Sequence, residues 1–145
     1  MKINKDEKFL AQTCAEVPKE EFDKIARLLR QEMLIRHKQA VGLAANQISF
    51  PIRAFAMKRQ KRTGVYVFIN PTIISKAGLV IQHKEKCLSL KKEFKVPRNT
   101  FITVTDEYYC KGEHIELIGQ DAIVFQHEFD HINGITIKTR SKDGK

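Results

Sequence analysis

The segment His127-Glu128-Phe129-Asp130-His131 constrains this chain more than any other, because its chemistry is coherent only on a helix. Side chains four residues apart lie one above the other on an α-helix. His127 and His131 would there present two imidazoles to one ion, and Glu128, beside the first, would reach water next to it. The flanks favour that helix. Ile123, Val124, Phe125 and Ile132 recur at helical spacing, Asp121 suits the positive end of the helix dipole, Gly119 precedes the run and Asn133-Gly134 supplies a stop. Ile123 and Val124 fall on the histidine face, which predicts an apolar wall beside the ion.

With 145 residues and 42% hydrophobic content the chain can bury a proper core, and no linker-like break divides it, so one domain over residues 1–145 is expected. Met1 to Lys8 is charged and lacks the apolar run of a signal peptide, and no stretch approaches membrane-spanning length. A soluble cytoplasmic protein with no membrane association is the expectation. Cys14, Cys87 and Cys110 form no disulfide pattern, which suits a reducing compartment and leaves each as core filler or ligand. The formal net charge of +9 favours acidic partners, a ribosome surface among them. No nucleic-acid motif accompanies it, so specific DNA binding is not expected and solubility is the simpler reading. Lys58, Arg59, Lys61 and Arg62 read as a solvated hairpin tip, and Lys138 to Lys145 as a frayed tail.

Pro18 opens a first helix that Phe22, Ile25, Ala26, Leu29 and Met33 continue to about Lys38. Ala40 to Gln47 is small and apolar. Strands are predicted at Ile52 to Met57, Val65 to Ile69, Leu79 to Gln82, Ile102 to Thr105 and Ile115 to Ile118. The class is α+β: mostly antiparallel strands around a central metal-binding helix, with a second helix near the N-terminus.

Two imidazoles need a third ligand, and a thiolate complements them while leaving a fourth position for water. Cys87, just after a β segment, is preferred, but on spacing alone Cys110 stays open.

Three blocks resemble peptide deformylase: Ala40 to Gln47 is similar to that family's GxGxAAxQ, Glu85 to Ser89 to its EGCxS, and Gln126 to His131 to its QHExDH. The resemblance implies that Cys87, His127 and His131 hold the metal and that Glu128 is the general acid/base. It also implies that Gln47 and the Leu88 backbone N–H face a developing oxyanion. The implied metal is Fe2+, with Zn2+ or Ni2+ as other occupants, and the implied partners are N-formylated nascent peptides. In the family an extended peptide lies along the segment that here is Val41-Gly42 and beside the residue here occupied by Lys86. Its methionine side chain would meet Ile123 and Val124.

Two glycines of these blocks are replaced, by Ala40 and Lys86. Lys86 stands directly before the metal cysteine, where it would strain the loop, screen the cleft or contact an acidic substrate. A catalytically weak or inactive metal-binding protein is therefore one alternative, and a zinc endopeptidase built on the same HExxH helix another. Only fourteen residues follow His131, so the long C-terminal helix of many bacterial deformylases is not expected in full. Asp130 reads equally as an orienting group or a surface acid, Glu85 and Arg98 as a buried or an exposed pair, and His37, His83 and His114 as surface histidines.

Overall fold

A computed structural model describes residues 1–141. After a short helix α1 (Glu7–Leu10) and a 3-10 turn at Lys19–Glu21 comes α2 (Phe22–Ile35). Strands β1 (Gly42–Ala44), β2 (Ala54–Met57) and β3 (Tyr66–Ile69) form one antiparallel sheet in that order. Strands β4 (Thr72–Glu85), β5 (Phe94–Thr105) and β6 (Ile115–Ile118) form a second. The helices α3 (Gly119–Ile132) and α4 (Ile137–Arg140) follow.

Side-chain alternation explains why the first sheet has two apolar faces. Along a strand, neighbours point to opposite sides. Ala54 and Ala56 of β2, with Val67 and Ile69 of β3, pack into one core with Phe22, Ile25, Leu29 and Met33 of α2. Phe55, Met57 and Phe68 point the other way, into a core with Phe125 of α3 and Ile102, Val104 and Leu117 of the second sheet. The small alanines let α2 lie close, while Phe55, Phe68 and Phe125 fill the other side with ring centroids 5.0 to 5.5 Å apart. The continuous run of buried residues in β2 and β3 is thus that of a sheet covered on both faces.

Several expectations need correction. The segments read as Leu79 to Gln82 and Ile102 to Thr105 are parts of long strands of 14 and 12 residues, paired along nearly their whole length. β4 was hard to read because it is an exposed edge strand, interrupted by register shifts at Ile73/Ser75 and Ala77/Val80, and so lacks alternation. Ile52 makes only an isolated bridge to Ala15, so β2 starts at Ala54, and β3 starts at Tyr66 rather than Val65. Gly42 to Ala44 pairs as a strand. The helix expected from Pro18 is α2, not the first of the chain; it begins at Phe22 after the 3-10 turn and ends at Ile35, three residues short of Lys38.

The supposed solvated hairpin tip is anchored in part: Arg59 pairs with Asp121 at 3.3 Å and lies over the Tyr66 ring, and Lys58 Nζ donates to the His37 carbonyl. Asp121 also accepts the Gln60 backbone N–H at 2.8 Å. At the other end, Ile137–Arg140 is helical, capped by Thr136 and tied through Arg140 to Asp130, and so is not frayed. The rest of that expected tail, residues 142–145, lies outside the described residues. No helix among the described residues is long and apolar enough to cross a membrane.

Candidate metal centre

Helix α3 packs on both sheets and carries His127 and His131 one turn apart, with ring centroids 5.1 Å from each other. Cys87 comes from the loop just beyond β4, and its Sγ lies 3.3 Å from His131 Nε2. One ligand atom from each of Cys87, His127 and His131 falls within 4.8 Å of the other two. Cys110 is not part of this group: it is buried elsewhere, its N–H donating to Asp106, and burial with the Asp106 carboxylate pushes its thiol up to about 12. Burial likewise raises Cys14 to about 11. Both are core thiols held in the neutral form.

Behind the imidazoles runs a chain of alternating charge. His127 Nδ1 is 2.7 Å from Glu85 Oε1. Burial works against the charged ring, but Glu128, Cys87 and Glu85 outweigh it and raise His127 to about 10, so a cation would have to displace the Nε2 proton while Nδ1–H stays on Glu85. Arg98 grips the same carboxylate with two bonds of 2.8 and 2.9 Å and reaches Asp130 Oδ2 at 2.6 Å. Arg140 closes the chain on Asp130 Oδ1 at 2.7 Å. The Glu85 and Arg98 side chains are only 5% and 3% exposed, so the buried pair is the arrangement found and Asp130 belongs to it. Burial works against ionised Glu85, but Arg98 and His127 outweigh it and hold the carboxyl at about 2. His131, fully buried, is pushed well below its usual value by burial and by the neighbouring His127 and Arg98 charges. A neutral ring is the form that binds a cation.

Gln47 sits in the 3-10 turn Ala45–Ile48, where its Oε1 accepts from the Ala44 N–H at 3.0 Å. Its Nε2 is thereby turned toward Ser89 Oγ at 3.2 Å and Cys87 Sγ at 3.5 Å. Asn46 ties this turn to α3 by donating to the His131 carbonyl at 2.8 Å. Leu88 follows Cys87 and lines the same pocket as Val41, Gly42, Ile123 and Val124.

Glu128 is buried, and its Oε1 has no hydrogen-bond partner among the described residues. Burial raises its carboxyl to about 7, against the pull of His127. Gly42 makes room for it, since a Cβ there would stand 2.5 Å from Glu128 Oε2. Gly42→Ala is therefore expected to displace the carboxylate and lower kcat/KM at least about tenfold while bound metal per chain stays at the wild-type value.

The edge of β1 is polar and open. Lys58 N–H donates to the Val41 carbonyl, and Gly42 faces Met57 across the ladder. By antiparallel alternation the Gly42 N–H and C=O then point away from β2. Lys86 is not strained: its φ is not positive, and its side chain is 82% exposed, 3.5 Å from Glu93. Of the three effects expected of this lysine, loop strain is removed.

The sequence reading missed Glu85 as the partner of His127, Ser89 as the partner of Gln47, and Arg140 on Asp130. For Glu85 a signal existed: residues i and i+2 of extended chain share a side, so an inward Cys87 implies an inward Glu85.

A buried thiol and two imidazoles around one point, with a carboxyl group poised near neutrality beside them, are the makings of a metal-dependent hydrolase. The polypeptide deformylase family model matches residues 2–145. The peptide deformylase of Wolinella succinogenes is 38% identical over 124 residues, which are 79% of this chain and 72% of that protein. The Thermotoga neapolitana enzyme is 35% identical over 133 residues, 88% of this chain and 79% of its own. Among solved structures, the Thermotoga maritima peptide deformylase superposes with a TM-score of 0.81 at 32% identity, covering 98% of this chain and 96% of that one. The Synechococcus elongatus peptide deformylase in complex with actinonin gives 0.84 at 26% identity, covering 99% and 80%. The chain belongs to the polypeptide deformylase family, with that family's fold of helices and antiparallel sheets.

Proposed function

We propose that Cys87, His127 and His131 hold one divalent cation and that residues 1–145 act as one domain, arranged around α3, to remove the formyl group from N-formylmethionyl peptides. The observation that carries this reading is the convergence of those three ligand atoms within 4.8 Å. Fe2+ is the proposed physiological ion, with Zn2+ or Ni2+ fitting the same sulfur and nitrogen donors. When bound, the cation supplies a Lewis-acidic charge that polarises the formyl carbonyl and makes water more acidic.

The chain's own residues do the rest. The formylated end of an extended peptide pairs with the Gly42 N–H and C=O as an added strand, passes Lys86, and sets its methionine side chain against Ile123 and Val124. Glu128 takes a proton from water as the oxygen adds to the formyl carbon, then gives it to the amine nitrogen as the C–N bond breaks. Formate and a free amino terminus result. Negative charge on the former carbonyl oxygen is met by the Gln47 carboxamide N–H and the Leu88 backbone N–H. Gln47→Leu is expected to lower kcat about a hundredfold or more, the usual effect of losing one oxyanion donor. The reaction is placed in the cytoplasm, with the basic surface, net charge +9, suited to approach the ribosome where formylated chains emerge.

The test is anaerobic formate release from formyl-Met-Ala-Ser by the Fe2+ protein, with casein cleavage measured alongside. Formate is expected, and it should vanish on chelation and return with Fe2+ or Ni2+. Casein cleavage without formate would favour the endopeptidase reading, and tight metal binding with neither product would favour an inactive protein.

A further inference from the structure

The active-site pocket is lined in part by the end of β4 and the two residues beyond it, Lys84 to Cys87. Glu85 there is buried in its pair with Arg98, whereas the Lys84 and Lys86 side chains are 67% and 82% exposed. One carboxylate, Glu93, lies 3.2 Å from Lys84 and 3.5 Å from Lys86, so a single negative charge faces two ammonium groups. Lys91, Lys92 and Lys95 add further exposed positive charge along the same segment. Among the described residues, the only carboxylates lining the pocket are the buried Glu85 and Glu128. The charge that a substrate meets on the way out of this cleft is therefore positive.

We propose that the Lys84 and Lys86 rim selects formylated peptides that carry an acidic side chain directly after methionine. This rests on the deformylase reading above. A peptide paired with Gly42 lies in a pocket that Lys84 to Lys86 also line. With its methionine side chain turned inward to Ile123 and Val124, the next side chain alternates outward, toward the rim. An acidic group there replaces Glu93 on one lysine, and a basic group is repelled. Exposed pairs of this kind are individually weak and are screened by salt, so the preference is modest and ionic-strength dependent.

The experiment measures formate release from C-terminally amidated formyl-Met-Glu-Ala and its Gln and Lys counterparts, for the wild type and for Lys84→Glu/Lys86→Glu. A kcat/KM about tenfold higher for Glu than for Lys peptides at low salt is expected, shrinking to about twofold in 0.5 M salt. The double variant should reverse the order. Lys111→Glu/Lys138→Glu, which changes net charge equally at residues that do not line the pocket, should keep it. Equal rates on Glu and Lys peptides, or a preference untouched by the rim substitutions, would overturn this inference and leave the deformylase reading standing. No formate from any peptide would overturn both.

Discussion

Glu128→Gln is expected to lower kcat for formate release about a thousandfold while the protein still binds one divalent ion. The amide keeps the size of the carboxylate, and its neighbour His127 keeps the bond to Glu85, so the cluster is left in place. What disappears is the proton acceptor, and general acid/base groups contribute about a hundred- to ten-thousandfold. The environment explains why this carboxyl suits the task. Burial without a hydrogen-bond partner on Oε1 lifts it to about 7, where it can both accept and return a proton near neutral pH. The base form is the one that starts the reaction, so kcat/KM of the wild type should rise with pH along a limb at or below about pH 7, since a bound cation favours the carboxylate. That limb should be absent from the residual activity of Glu128→Gln, which pH profiles of the two proteins would reveal.

Arg98→Met should give the largest loss of stability of any single substitution near the site, about 3 to 5 kcal/mol, or at least about 10 °C in Tm. The guanidinium is 3% exposed and holds two carboxylates, Glu85 and Asp130, which the variant would leave buried without their main counter-charge. Arg140 is a useful contrast: at 39% exposure its ion pair among the described residues is with Asp130 alone, and Arg140→Met should cost about 1 kcal/mol or less. The effect of Arg98→Met should depend on pH in a definite sense. Glu85 is held at about 2 in the folded protein against an ordinary value of 4.5, so its ionised pairing stabilises the fold fully above about pH 4.5. That contribution, about 3 kcal/mol, is lost as pH falls toward 2. The stability gap between wild type and Arg98→Met should therefore narrow on acidification, as measured by denaturant unfolding from pH 7 down to pH 3. A gap that stayed constant would show that Arg98 acts through packing alone.

How much of this was legible in the sequence depended on whether local periodicity carried it. α2 and α3 were readable because Phe22, Ile25, Leu29 and Met33, or Ile123, Val124 and Ile132, repeat at helical spacing. β6 was readable at its full length, from Ile115 to Ile118. β4 was not, because an exposed edge strand with Gly78 at φ +76 and two register shifts leaves no alternating pattern. The pair of histidines announced itself through spacing, but Cys87 lies forty residues earlier, and spacing did not separate it from Cys110. The three-dimensional packing of the β4–β5 hairpin against α3 does so. Gly42 gave no local reason for being glycine until Glu128 was found against it. Lys86 misled in the opposite direction: its neighbours suggested a position demanding glycine, yet its backbone is ordinary and its side chain stands in solvent.

The Cys87 sulfur is the ligand on which the proposed metal site depends. X-ray absorption of the zinc-loaded protein should show one sulfur at about 2.3 Å and two imidazole nitrogens at about 2.0 to 2.1 Å, with the sulfur shell gone in Cys87→Ala. A zinc shell made only of nitrogen and oxygen, or one that keeps its sulfur after Cys87 is replaced, would contradict it.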